Sequence, residues 1–192
     1  MTNLTLSDAL EEAYAAADPD APIIPTISIY FDGLVDDDDN PADVFLFDGM
    51  NPTRINDNGS RELDAALEVT AARQPGARVT FSAAPFTISV PDTTTDPTPR
   101  ATLTIDNVNR ETIDLLIQAA QGGKAIYITY REYLVGGENG GPENNPPLVF
   151  NLVEVAATGV SVTGRLITHT VGSRRFPWQS YSALRFPTLQ YA

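Results

Sequence analysis

The chain carries one histidine, His169, and no cysteine, against 25 aspartates and glutamates. His169 lies in the alternating stretch Thr168-His169-Thr170 with no nucleophile motif beside it, which fits a strand residue better than a general base. Without cysteine there is no disulfide, thiolate zinc site, iron–sulfur cluster or thiol nucleophile, and a cytosolic origin is compatible. No Gly-x-Ser-x-Gly turn, P-loop or dinucleotide fingerprint occurs. Two carboxylates suffice for glycoside hydrolysis, so residue type alone does not exclude a glycan hydrolase, but nothing in the spacing selects a pair. The acidic run Asp36-Asp37-Asp38-Asp39-Asn40 invites comparison with a calcium loop. Such a loop needs glycine at its sixth position and a bidentate glutamate at its twelfth, where this chain has Pro41 and Phe47; a solvated acidic loop is the better reading. The sequence therefore assigns no catalytic, cofactor-binding or metal-binding residue.

Charge sets a second bound. Only 12 lysines and arginines offset the acids, for a net charge of -13. Each phosphate contact requires a cation, so sequence-specific nucleic-acid binding and polybasic membrane binding are both disfavoured. The first residues have neither the basic region nor the apolar core of a signal peptide, and no apolar run approaches the ~20 residues of a membrane-spanning helix. A length of 192 residues with 42% hydrophobic content suits a single domain over 1–192 with a real core.

The elements that must position any site are clearest between residues 78 and 123. Arg78-Val79-Thr80-Phe81-Ser82-Ala83 alternates apolar and polar residues, and Phe86-Thr87-Ile88-Ser89-Val90 alternates again with the opposite phase. A bulge or kink at Ala84-Pro85 would let both halves keep their apolar side on the core. A proline-rich loop over 91–99 follows, then a strand, Ala101-Thr102-Leu103-Thr104-Ile105. Asn109 is placed to cap a central helix at about 109–121, with Val108 and Ile113 as a hydrophobic staple. Ile113, Leu116, Ile117 and Ala120 make its buried stripe, and Gly122-Gly123 ends it.

Elsewhere, Leu6, Leu10, Ala13, Tyr14 and Ala17 predict an N-terminal helix at about 6–17. Strands are expected over 23–31, with Pro25 marking an edge or an irregular start, and over 44–47. Within a segment at about 57–77, two readings compete for 62–73. One is a helix carrying Leu63, Ala66 and Leu67; the other, preferred, is a hairpin into Val79 in which Leu67-Glu68-Val69-Thr70-Ala71 is the strand and Gln74-Pro75-Gly76-Ala77 a type II turn. A meander of strands over 125–135, 148–155 and 160–170 completes the body. The 136–147 loop is rich in Gly, Pro and Asn, and reads equally as a flexible surface loop or as a tip that orders against a neighbouring subunit. The tail at about 174–192 combines arginines with aromatics, which suits an interface or a segment folded back on its own sheet. Candidate inter-subunit contacts are Glu138, Asn139, Glu143 and Asn144 in the loop, and Arg174, Arg175, Phe176 and Trp178 in the tail.

Two segments carry a resemblance: Phe81-Ser82-Ala83-Ala84-Pro85-Phe86-Thr87-Ile88-Ser89-Val90-Pro91-Asp92, and Pro99-Arg100-Ala101-Thr102-Leu103-Thr104-Ile105-Asp106-Asn107-Val108-Asn109-Arg110-Glu111. They resemble the core of a phage protein family known as a domain of unknown function, whose members occur among the tail genes of long-tailed phages and prophages. Arg185-Phe186-Pro187-Thr188-Leu189 is similar to the family's terminal element, with Thr188 in place of the usual glycine; the 57–77 segment is extra to the family pattern. The resemblance implies a mainly β fold with flanking helices, a β-sandwich or half-open barrel of the tail-tube or distal-tail type. It also implies a structural virion protein, made in the host cytoplasm. Its expected place is a ring at the distal end of the tail or baseplate hub, typically hexameric, around the channel for tape measure protein and DNA. Partners would be copies of itself, the adjacent tail tube and tail-tip hub proteins, and the tape measure protein. An acidic lumen suits that role because it would not hold sliding DNA. A tail tube or tail terminator subunit is the nearest alternative; a tail-associated glycan or peptidoglycan hydrolase, or a glycan-binding module, is the alternative from another class.

Overall fold

The computed structural model describes residues 5–6, 10–11, 15, 23–35, 43–49, 52–55, 59–89, 101–106, 110–158 and 161–168. The acidic run at 36–39, the helix cap at Asn109, the loop at 91–99, His169, and the tail with Arg174, Arg175, Phe176 and Trp178 lie outside the described residues, as does most of the expected N-terminal helix. Within that helix's range, Leu10, Glu11 and Ala15 are helical, whereas Thr5–Leu6 is a short strand, β1.

The body is mainly β. Strands β2 (Ile23–Phe31), β3 (Val44–Phe47), β4 (Arg54–Ile55), β5 (Arg61–Ala66), β6 (Arg78–Ala83), β7 (Phe86–Ser89), β8 (Ala101–Ile105), β9 (Ile126–Leu134), β11 (Leu148–Thr158) and β12 (Ser161–Thr168) form one sheet in the order β4-β5-β6-β3-β2-β9-β11-β12-β8-β7. The remaining strand, β10 (Asn144–Asn145), pairs with β1. All ladders are antiparallel except the short parallel one that sets Leu46 and Phe47 beside Ser82 and Ala83. The expected meander is β9-β11-β12. Of the two readings of Pro25, an edge strand or an irregular start, the second fits: β2 is internal, between β3 and β9. Its ladder with β3 begins only at Thr26, so Pro25 falls where one side of the strand has no neighbour and a missing N–H is tolerated.

The sheet must curl. Strands β6 and β7 are seven places apart in the order, which would separate them by about 34 Å in a flat sheet at ~4.8 Å per strand. Yet Ala83 and Phe86 are only three residues apart and can be no more than ~11 Å from each other. The bent segment through Ala84-Pro85 spans the seam, with Ala84 N–H donating to Phe47 O (2.8 Å) and Asp106 N–H to Pro85 O (2.8 Å). The result is an open, half-barrel sheet, as expected of the fold class.

The two faces of the central strands are buried against different cores, which explains why β2 and β9 read as nearly continuous apolar runs. One core gathers Ile27, Ile29, Phe31, Ile126, Ile128, Leu103, Ile105, Leu152 and Leu166 with the helix residues Leu116 and Ala119. The other gathers Ile24, Phe47 and Tyr133 with Leu63, Ala65, Val79 and Phe81 of the β5–β6 hairpin. This arrangement corrects the reading of residues 78–90. Odd residues of the bent segment face the second core and even residues the first, so the change of phase at Ala84-Pro85 marks a change of core and no one-residue slip is needed.

Residues 62–73 resolve the two competing readings. The hairpin is present, but its first strand is Arg61–Ala66, earlier than expected, with Leu63 opposite Phe81 and Ala65 opposite Val79. Residues 67–71, expected as the strand, instead begin a loop, 67–77, that closes with the expected turn: Ala77 N–H donates to Gln74 O (3.0 Å), and Gly76 has φ 67.

The central helix spans Arg110–Gln121. Among its described side chains Leu116 and Ala119 are buried, while Ala120, expected in the stripe, is exposed, so the buried face is rotated by one residue at its C-terminal end. A Schellman motif stops it: Lys124 N–H donates to Ala119 O (3.0 Å) and Gly123 N–H to Ala120 O (3.2 Å), with Gly123 at φ 67.

Candidate functional site

The outer face of β2 and β9 is apolar only at one end. Pairing sets Thr26 beside Arg131, Ser28 beside Thr129 and Tyr30 beside Tyr127, so a polar strip continues from the second core. Thr26, Ser28, Thr129 and Arg131 are all buried. The 67–77 loop makes burial of an arginine possible by laying Glu68 against it. Arg131 Nε donates to Glu68 Oε2 (2.7 Å) and Nη2 to Oε1 (3.0 Å), while Nη1 donates to Ser28 Oγ (2.7 Å). The Arg131 and Glu68 side chains are 5% and 9% exposed, so this is a desolvated two-point pair rather than a surface ion pair. Nearby, Tyr133 Oη donates to Ala66 O (2.9 Å) and ties the hairpin to β9; burial raises the phenol's pKa above the ordinary tyrosine value.

A second clasp has the opposite polarity. Here the loop supplies the base, Arg73, and the residue preceding β3 supplies the acid, Asp43, with Nη1 and Oδ1 3.0 Å apart. The Arg73 guanidinium also lies over the Tyr30 ring, 5.3 Å from its centroid, and Tyr30 stacks on Tyr127 at 4.9 Å and 15°. The Asp43 side chain is only 5% exposed, and Oδ1 receives no aligned hydrogen bond from the described residues. Burial raises the Asp43 carboxyl above its ordinary 3.8, against the opposing pull of Arg73 and Arg131. Tyr30 is likewise raised, chiefly by burial and then by Tyr127.

Between the clasps opens a cleft of about 160 Å³, whose lining includes Ser28, Tyr30, Asp43, Thr129, Arg131, Pro146, Pro147 and Val149. Two carboxylates, Asp43 and Glu68, line it, but each is held by an arginine. Among the described residues no group of three or more His, Asp or Glu stands close enough to hold a metal ion.

The loop residues named as inter-subunit contacts have the following places. Asn144 is buried: its Oδ1 accepts from Glu132 N–H (3.0 Å) and its Nδ2 donates to Tyr130 O (3.3 Å), stitching the 136–147 loop to β9 beyond the end of β11. Glu138 is also buried and accepts from Gly136 N–H (2.9 Å). Asn139 is exposed and Glu143 half-buried, with Glu143 N–H donating to Glu132 O (2.8 Å). Arg131, Glu68, Asp43, Arg73 and Tyr30 were not singled out by sequence. The available signal was an arginine in the middle of a strand rich in Ile and Tyr, a position that demands a buried acid partner from elsewhere.

A mainly β, half-open barrel with a central helix and two acid–base clasps of opposite polarity defines the class of the protein. The chain belongs to the family described as Domain of unknown function (DUF1833), whose model matches residues 43–181. No curated protein matches the chain.

Proposed function

We propose that the protein is a structural virion component, a subunit of the ring at the distal end of a phage tail, surrounding the channel for tape measure protein and DNA. The observation that carries the reading is the resemblance of the segments at 81–92 and 99–111 to a family found among phage tail genes. In the fold these segments contribute β7, β8, the start of the central helix and the bend that spans the sheet's seam, so the resemblance falls on the elements that shape the barrel. The chemistry of the cleft supports a structural role: both of its carboxylates are closed on arginines. Assembly would place copies of this chain next to tail tube and tail-tip hub proteins, with its acidic charge repelling DNA in transit.

One observation favours the enzymatic alternative. Asp43 and Glu68 share a cleft, and burial keeps Asp43 in the direction of a general acid. Zymography on peptidoglycan with the purified chain separates the two. The structural reading expects no clearing and ring-shaped particles by electron microscopy, alone or with tail tube protein. Clearing that disappears in Asp43→Asn would replace it with a tail-associated hydrolase.

A further inference from the structure

One stretch of the outer sheet face belongs to neither core. Pairing places Tyr30 beside Tyr127, Tyr127 beside Asn151 and Asn151 beside Ile167. Directly opposed residues share a face, so these four form a row across β2, β9, β11 and β12. Alternation along β11 puts Val149 and Val153 on the same side. None of the six is part of either hydrophobic core. Val149 is 51% exposed, and Tyr30, Tyr127, Val153 and Ile167 are half-buried. The β5–β6 hairpin closes only the other end of this face, over Ile24 and Tyr133. What is left is a half-apolar strip with the stacked tyrosine pair at one side.

We infer that the C-terminal segment of the same chain, residues 171–192, docks on this strip. Strand β12 is itself part of the strip and ends at Thr168, opposite Phe150 and so next to Val149; the segment starts from the strip's border. From β12 to β2 is three strand spacings, about 14 Å. Phe176 and Trp178 follow Thr168 by eight and ten residues, a reach of up to about 26 and 33 Å, so both can return over Tyr127 and Val149. Composition matches the surface. Residues 169–192 hold five aromatics, three arginines and no acid, leaving residues 1–168 at a net charge of -16 against the whole chain's -13. Aromatic rings and arginines suit a half-apolar face on an acidic body. Near the strip Asp43, Glu68 and Glu154 each hold an arginine, whereas Asp32, exposed two residues beyond Tyr30, forms no ion pair among the described residues and is open to Arg174 or Arg175. Charge also selects the occupant. The body of a second copy brings the same negative sign to this face, while a tethered segment of opposite sign acts at an effective concentration of about millimolar order. The inference goes beyond ring assembly and does not depend on it, since one chain contains every residue used; a strip covered in this way directs contacts between copies to other surfaces.

Trp178 is the only tryptophan, so its fluorescence in the full chain reports the segment directly. Emission to the blue of the urea-unfolded chain is expected, with acrylamide quenching several-fold weaker than in a synthetic peptide of residues 169–192. Both should be independent of protein concentration. Val149→Lys, a change at an exposed position, should bring quenching up to the level of the peptide while the far-ultraviolet circular dichroism of the sheet stays in place. A second measurement does not rely on that variant: in the parent, nuclear Overhauser contacts between the Trp178 indole and the methyls of Val149, Val153 or Ile167 are expected. Quenching equal to that of the peptide, protection that Val149→Lys leaves intact, or absence of those contacts would each overturn the inference. So would protection that grows with protein concentration, by placing the segment on a second copy.

Discussion

Arg131 and Glu68 lie 63 residues apart in sequence and meet through two parallel hydrogen bonds of 2.7 and 3.0 Å, beneath a loop that belongs to one hairpin and on a strand that belongs to the centre of the sheet. The pair is almost solvent-free, so its attraction is offset by a large desolvation cost; its clearest consequence is to fix where the 67–77 loop sits. Removing one partner leaves the other charge buried alone. Glu68→Gln is expected to destabilise the fold by about 3–5 kcal/mol in urea unfolding. The double variant Glu68→Leu/Arg131→Met should recover most of that loss, because it removes both charges and keeps apolar volume. A double variant no more stable than Glu68→Gln would show that the pair contributes more than it costs to bury.

Asp43 gives a pH dependence. Folding raises its proton affinity through burial, so between its ordinary 3.8 and its higher folded value the native state holds this proton more tightly than the unfolded chain. Its contribution to stability is greatest below that window and is lost as pH rises through it. Asp43→Asn abolishes the titration. The stability of Asp43→Asn relative to the parent should therefore rise as pH is taken upward from 3.8 through the folded value, then level off. Urea midpoints measured across the acid range for both proteins test this, and a flat difference would contradict the burial of Asp43.

Tyr133 links the two halves of the second core, with its ring against Phe81 at 6.1 Å and its hydroxyl on Ala66 O. Tyr133→Phe keeps the packing and removes one donor, for an expected cost of about 1 kcal/mol. In the parent, ultraviolet titration should find phenols that ionise later than exposed tyrosines, Tyr30 and Tyr133 among them, and Tyr133→Phe should remove part of that late component and leave the part due to Tyr30.

Gly164 is buried on β12, and a Cβ added there would lie 2.6 Å from Leu152 Cδ1 and 3.1 Å from its Cγ. Alanine can be accommodated if Leu152 changes rotamer, whereas valine cannot without moving the strand. Gly164→Val is expected to cost about 1–3 kcal/mol in thermal unfolding, and pairing it with Leu152→Ala should return part of the loss.

Much of the sheet could be read from hydrophobic pattern, by alternation in 101–105 and as apolar runs in 23–31 and 44–47, where strands are buried. Two features escaped for physical reasons. Alternation reports which side of a strand is buried but not against what, so the phase change at Ala84-Pro85 suggested a slip when it recorded a passage between two cores. Residues 61–66 have weak strand propensity, with Glu62, Asp64 and two alanines, and are held by pairing with Arg78–Ala83, a contact that local pattern does not reveal. The clasps are non-local in the same way: Glu68 and Arg73 look like ordinary surface residues of a loop until the hairpin folds over β2 and β9. In the 136–147 loop, composition left open a flexible surface loop or a tip that orders against a neighbour, and it did not reveal that Asn144 fastens the loop to its own strand, where β9 outruns β11 and leaves backbone groups to be satisfied.

The proposed role in a tail is tested most directly by a cryo-electron microscopy map of intact virions from a source that carries the gene for this chain, at a resolution that traces the central helix and the bent strand. Density for several symmetry-related copies in an annulus between the tail tube and the tip is the expected result. Finding the chain outside any tail annulus, or missing from the particle altogether, would contradict it.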